Sequence, residues 1–155
     1  MIRRIDIARA QAQNAREILR REWILSNGLG GYASGTISGM VSRRYHGLLV
    51  AALPAPYGRV VMLNHLAEML CLPDGRRILI GGEDPGQGDD EFGEPHFVQE
   101  FRLEFGLPIW VFEAAGYRIE KRVLLIHGQN TLHVTYRLLS SQDSIRVELC
   151  PSVHF

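Results

Sequence analysis

The sequence predicts a mainly β fold, an antiparallel β-sandwich with one short N-terminal helix. Three observations carry that prediction. Residues 97–149 hold successive runs in which apolar and polar side chains alternate, the period-two pattern of strands with one buried and one wet face. Short turn sequences separate those runs with no helical stretch between them, which argues against a parallel α/β sheet. Helix-forming composition is confined to residues 8–22.

In chain order, Ala8, Ala10, Ala12, Ala15, Glu17, Leu19 and Arg20 favour a helix over 8–22. Ile18, Leu19 and Trp23 supply its short apolar face. Ser26-Asn27-Gly28 ends that segment with a strong turn signal. Tyr45–Leu53 finishes in the apolar run Leu48-Leu49-Val50-Ala51-Ala52-Leu53, which suits a strand buried on both faces. Pro54 and Pro56 stop it. Arg59–Leu63 and Leu66–Leu72 read as a pair of strands, and Pro73-Asp74-Gly75 turns into another at Arg76–Ile80. Residues 81–96 are rich in glycine, proline and acids and read as a long solvated loop. The ordered acid spacing of a calcium loop is missing there. Further strands are expected at Phe97–Phe105, Ile109–Phe112, Tyr117–Leu125, Thr131–Leu138 and Ser144–Leu149. Val153 and Phe155 look like the beginning of another element. The chain therefore reads as a single domain, 1–155, incomplete at its C-terminal side.

Seventeen basic residues balance seventeen acidic ones, so the basic footprint of a nucleic-acid binder is missing. Arg3, Arg4, Arg16, Arg20 and Arg21 make the N-terminal segment locally basic, and a solvated helix face accounts for them. Cys71 and Cys150 lie far apart without metal spacing and read as reduced, buried thiols of a cytoplasmic protein. The N-terminus lacks the apolar stretch of a signal peptide, and no apolar run is long enough for a membrane helix. The histidines at 46, 65, 96, 127, 133 and 154 show no zinc-binding spacing. His127 and His133 flank a turn and read as strand-end surface residues. Trp23 and Trp110 read as packing residues. No metal and no cofactor are expected.

The densest region runs from Glu22 to Ala51. Six of the sixteen glycines lie between positions 28 and 47, which implies tight turns or a surface closely approached by another body. Gly28-Leu29-Gly30-Gly31-Tyr32-Ala33 formally fits a dinucleotide fingerprint. The residues that follow are poor helix material, however, and the acid that would hold a ribose is missing. Arg43-Arg44-Tyr45-His46 concentrates guanidinium, phenol and imidazole groups. They could line a groove for sugar, with planar hydrogen bonds to hydroxyls and an aromatic ring under the pyranose. They could equally pin loops together or face a neighbouring domain.

The string E-W-x-x-x-N-G-L-G-G-Y-A-S-G-T from Glu22, then R-R-Y-H-G-L-L-V-A from Arg43 and P-x-x-x-x-G-R, resembles the start of bacterial and archaeal glycogen debranching enzymes. A weaker likeness continues through Pro108-Ile109-Trp110, Gly116-Tyr117 with Glu120-Lys121, and Asn130-Thr131 to Leu139, so that it spans roughly Glu22 to Pro151. The resemblance implies a large, supersandwich-like antiparallel domain. It also implies an α/α-toroid, absent here, that carries the acids for amylo-α-1,6-glucosidase chemistry. Glycoside hydrolysis needs a pair of carboxylates at fixed separation. Glu22, Glu68, Glu100, Glu104, Glu113, Glu120 and Glu148 all have ordinary strand-surface or helix-end readings, so no catalytic residue is expected. Asn27, Arg43, Arg44, Tyr45 and His46 are the substrate-binding candidates, placed on loops facing the toroid and an α-glucan or glycogen oligosaccharide. The competing expectation is a stand-alone carbohydrate-binding or structural module. Self-association into a homo-oligomer is expected if an apolar patch or strand edge is left open.

Overall fold

The computed structural model describes residues 2–10, 12–81, 97–140 and 144–153. It is mainly β and sandwich-like, as predicted. The first sheet has the order β1(Ile2–Asp6), β7(Val98–Glu104), β8(Leu107–Ala114), β9(Tyr117–Leu125), β10(Leu132–Ser140). The second has the order β11(Arg146–Val153), β5(Gly58–Cys71), β4(Gly47–Leu53), β3(Tyr32–Thr36), β2(Glu22–Ser26), with β6(Arg77–Gly81) also paired to β5. Every pairing is antiparallel. Two-residue turns close β7 to β8 and β8 to β9. Phe105-Gly106 and Ala115-Gly116 carry positive φ at both positions, the twist that tight hairpins require.

Several expectations are corrected. The helix is shorter than 8–22: α1 spans Ala12–Leu19 and buries Ile18 and Leu19. From Glu22 the chain is already extended, because β2 pairs along β3 and lays Trp23 into the core. Arg3 and Arg4 lie on β1, not on a helix face. The two strands expected between Arg59 and Leu72 are one, β5. The strand runs on through Asn64-His65 with a bulge against β11. Strand β7 ends at Glu104, leaving Phe105 exposed in the turn. Cys71 and Cys150 are free, but they are half-buried and exposed rather than buried. Residues 82–96 of the expected acidic loop, with His96, lie outside the described residues, as do His154 and Phe155.

The two inner faces share one core. Ala33, Leu48, Leu66 and Leu70 meet Phe101, Phe112, Ile119 and Val123. Trp23 of one sheet packs edge-on against Trp110 of the other at 5.3 Å between ring centroids. Among these apolar groups lies Glu68, with 0% exposure. The Lys121 ammonium sits 2.6 Å from its Oε1, and the Tyr136 hydroxyl donates to the same oxygen. Glu68 comes from β5, Lys121 and Tyr136 from β9 and β10, so this cluster spans the sandwich. The outer face of the first sheet carries charges that cover one another. Arg102 bonds Glu100, Glu104 and Glu120, and Arg4 and Arg137 complete the lattice. Burial alone would raise the Glu120 carboxyl, but Arg102, Arg137 and Arg122 hold it below its ordinary value.

Removing one partner of a buried ion pair leaves a desolvated charge. Lys121→Met is therefore expected to lower unfolding free energy by about 3–5 kcal/mol in urea titrations. The triple change Glu68→Leu, Lys121→Met, Tyr136→Phe should recover most of that loss. A single-variant loss under about 1 kcal/mol would show that Lys121 does not neutralise Glu68.

Candidate functional site

The segment after β3 is fixed from below before it reaches Arg43–His46. The Trp23 indole donates to the Thr36 carbonyl at 3.1 Å, and the Trp110 indole donates to the next carbonyl, Ile37, at 2.7 Å. Thr36 Oγ1 donates to the Met40 carbonyl at 2.9 Å. At the far end, the Tyr32 hydroxyl and Ser34 Oγ both donate to the Tyr45 carbonyl, at 3.0 and 3.3 Å. The loop thus rests on strand side chains at both ends, which suits a precise rather than an adaptable surface.

Within it, four candidate residues divide by exposure. His46 is buried at 4%. Its Nδ1 accepts the Ser42 backbone N–H at 3.3 Å, which leaves the ring proton on Nε2, 3.7 Å from Glu22 Oε1. Arg43 pairs with the same Glu22 oxygen. Arg44 is exposed without an ion pair among the described residues, and the Tyr45 ring beside it is 70% exposed. Arg44 and Tyr45 therefore face outward, while Glu22, Arg43 and His46 shape the loop. A free guanidinium next to an open aromatic ring can bond hydroxyls and pack against an apolar C–H face. Glu22 is already engaged by Arg43 and His46, so the loop offers no acid–base pair of its own.

The fifth candidate lies elsewhere. Asn27 occupies the turn of the β2–β3 hairpin, whereas Glu22 is at its open end. Five extended residues, roughly 17 Å, separate them. Asn27 is 1% exposed and its amide is fully committed. Nδ2 donates to the Gln129 carbonyl and Asn130 Oδ1, at 2.9 and 3.0 Å. Oδ1 accepts from the backbone of Leu29 and Gly31, at 2.9 and 3.0 Å. Asn130 in turn brackets Ala52, bonding both its N–H and its carbonyl. This knot explains the glycines. A Cβ on Gly31 would stand 2.7 Å from Asn27 Nδ2, and one on Gly28 would stand 2.4 Å from the His127 ring. His127 is at the surface, as expected, but it caps this turn.

Sequence reasoning missed Glu68, Lys121 and Tyr136. The signal was present: Leu66, Glu68, Leu70, Leu72 and Ile119, Lys121, Val123, Leu125 each place one charge on the inward parity of an otherwise apolar face. Glu100 and Glu120 are not the ordinary surface acids that their strand positions suggest; they are buried within the ion lattice at 7% and 5%. Among the described residues no cluster of three or more His, Cys, Asp or Glu could hold a metal ion, and no helix is long and apolar enough to cross a membrane.

Two outcomes follow from the geometry. Burial, the largest influence, holds the His46 imidazole below its ordinary pKa of 6.5, against the raising effect of Glu22. The unfolded chain then takes up the proton first, so His46 favours folding above that value and opposes it as pH falls below. Tm should drop between pH 7 and pH 5, and His46→Asn should flatten that drop; an unchanged slope would mean His46 is not held neutral. Asn27→Ala should strand several buried partners and cost about 2–4 kcal/mol in urea unfolding, with Asn27→Asp at least as damaging because a carboxylate cannot donate to Gln129.

A family model described as the N terminal of glycogen debranching enzyme matches residues 21–155. The match begins after β1 and α1 and takes in both the Asn27 knot and the Arg43–His46 loop. No curated protein matches the chain. No solved structure matches it either. With the greater part of its length covered, this chain belongs to the glycogen debranching enzyme N-terminal family.

Proposed function

We propose that the chain is the accessory domain of a cytoplasmic enzyme that hydrolyses α-1,6-glucosidic branch linkages in glycogen and related α-glucans. Its role is to present a surface to the substrate cleft and to the catalytic α/α-toroid, whose acids do the chemistry. The observation that carries this reading is the loop ending in His46. Buried groups hold it in place, yet it turns the Arg44 and Tyr45 side chains outward and leaves them unengaged among the described residues. Family membership supplies the α-glucan context. Free thiols at Cys71 and Cys150 fit a reducing compartment. Exposed Leu138, Leu149 and Val153 on β10 and β11 fit a packing surface for a further domain or a second copy.

In the full-length enzyme, Arg44→Ala and Tyr45→Ala should each lower turnover of branched maltodextrin about tenfold or more, equivalent to at least ~1.4 kcal/mol of lost transition-state stabilisation. Tm should be unchanged, because neither side chain is packed. Normal turnover in both variants would overturn the proposal and leave the loop a passive surface.

A further inference from the structure

β11 forms one edge of the second sheet. One side of it pairs with β5, from Cys71 to Leu63. The other side has no strand partner among the described residues. Along its 8 residues it therefore offers a row of backbone donors and acceptors to another chain. Leu149 and Val153 add exposed apolar surface beside that row.

The charges on β11 specify what fits it. Arg146 stands opposite Cys71 and Glu148 opposite Met69, on the outer face of the sheet. Arg146 bonds one Glu148 oxygen at 2.8 Å, and Arg77 holds the other. A carboxylate has lone pairs left for a third donor. Val147 and Leu149 stand opposite Leu70 and Glu68, on the inner face. One cation and one anion thus flank Val147 on the same face, one residue to either side.

A second copy laid antiparallel along this edge, related by a two-fold axis through the sheet, must set outer residues against outer and inner against inner. The axis then falls on a residue. On Arg146 it opposes two arginines, and on Glu148 two glutamates. On Val147 it sets each Arg146 against Glu148 of the other copy, twice over, and brings each Leu149 to Ile145 of the other. An axis at Leu149 or beyond would draw Pro151 into the ladder, and proline has no N–H to give. Opposite charges placed directly across a strand pair favour it and like charges oppose it. Of these registers, only the one centred on Val147 satisfies both charges.

We propose that this chain pairs with a second copy of itself through β11, the two-fold axis passing at Val147, so that the second sheet runs on from one copy into the other. This interface is separate from the Arg44–Tyr45 surface and does not rest on the debranching reading.

In sedimentation or light scattering, the mean mass of this chain should climb from one protomer toward two, half complete at roughly 10–100 µM, the range of a small transient interface. Arg146→Glu and Glu148→Arg each place two like-charged pairs across the axis and should weaken association about tenfold or more. Mixed in equal amounts, the two variants should recover it as a heterodimer, because one then brings two glutamates and the other two arginines. Circular dichroism follows their folding. If a charge variant unfolds, Val147→Cys decides. Residue 147 of each copy lies at the axis, so mild oxidation should give a covalent dimer in much higher yield than wild type, whose Cys150 would face Ser144 of the other copy. A chain monomeric throughout, with the edge covered by something else, overturns the assignment. So do folded charge variants that associate like wild type, a mixture that stays monomeric, or a Val147→Cys yield no greater than that of wild type.

Discussion

The Glu68 carboxylate, fully enclosed between two sheets, constrains more of this molecule than any other group. It is held by an ammonium from β9 and a hydroxyl from β10. The same ammonium lies 5.5 Å from the centre of the Trp110 ring, whose indole fixes the Ile37 carbonyl. Trp110 meets Trp23 edge-on, and Trp23 fixes the neighbouring carbonyl of Thr36. One line of contacts thus runs from an edge strand of the first sheet to the loop that displays Arg44 and Tyr45. A desolvated charge tolerates little displacement, and a one-residue slip of any of these strands would turn its member of the cluster to the other face. The register of both sheets is consequently tied to a single polar group.

That tie explains what was and was not legible in the sequence. The meander from β7 to β10 could be read directly, because each strand alternates over many residues. Strands β2 and β3 could not. Trp23-Ile24-Leu25 follows a helix-forming stretch without a break, and Tyr32-Ala33-Ser34-Gly35-Thr36 is made largely of small residues with weak strand preference. They are strands because they pair with each other and with β4, which is a property of the assembled sheet. β1 was hidden for the same reason, since its only strand partner among the described residues lies nearly a hundred residues away on β7.

The candidate site was legible as a stretch of sequence but not as a place. Asn27 and Arg43–His46 fall in one dense block, and the block serves two ends of the same sheet. At one end an amide organises backbone that must pass without side chains, which is why Gly28 and Gly31 stand beside it. At the other, Glu22 gathers Arg43 and His46 and leaves Arg44 and Tyr45 free. Density of unusual residues marks a stretch of sequence, but it cannot separate groups that build the scaffold from groups that face outward.

The pairing of β11 with β5 has a kinetic side. Arg146 lies opposite Cys71, so the chain between them, with the whole β7–β10 meander inside it, must form a closed loop before that ladder can begin. Two hairpins of the meander close over two residues each and the third over the six between Leu125 and Leu132, so none needs such a search. Local closure is rapid and distant closure carries a larger entropic penalty. The first sheet can therefore assemble largely from neighbours. The second waits for β11, and until it arrives β5 presents a long open edge to any other strand in reach.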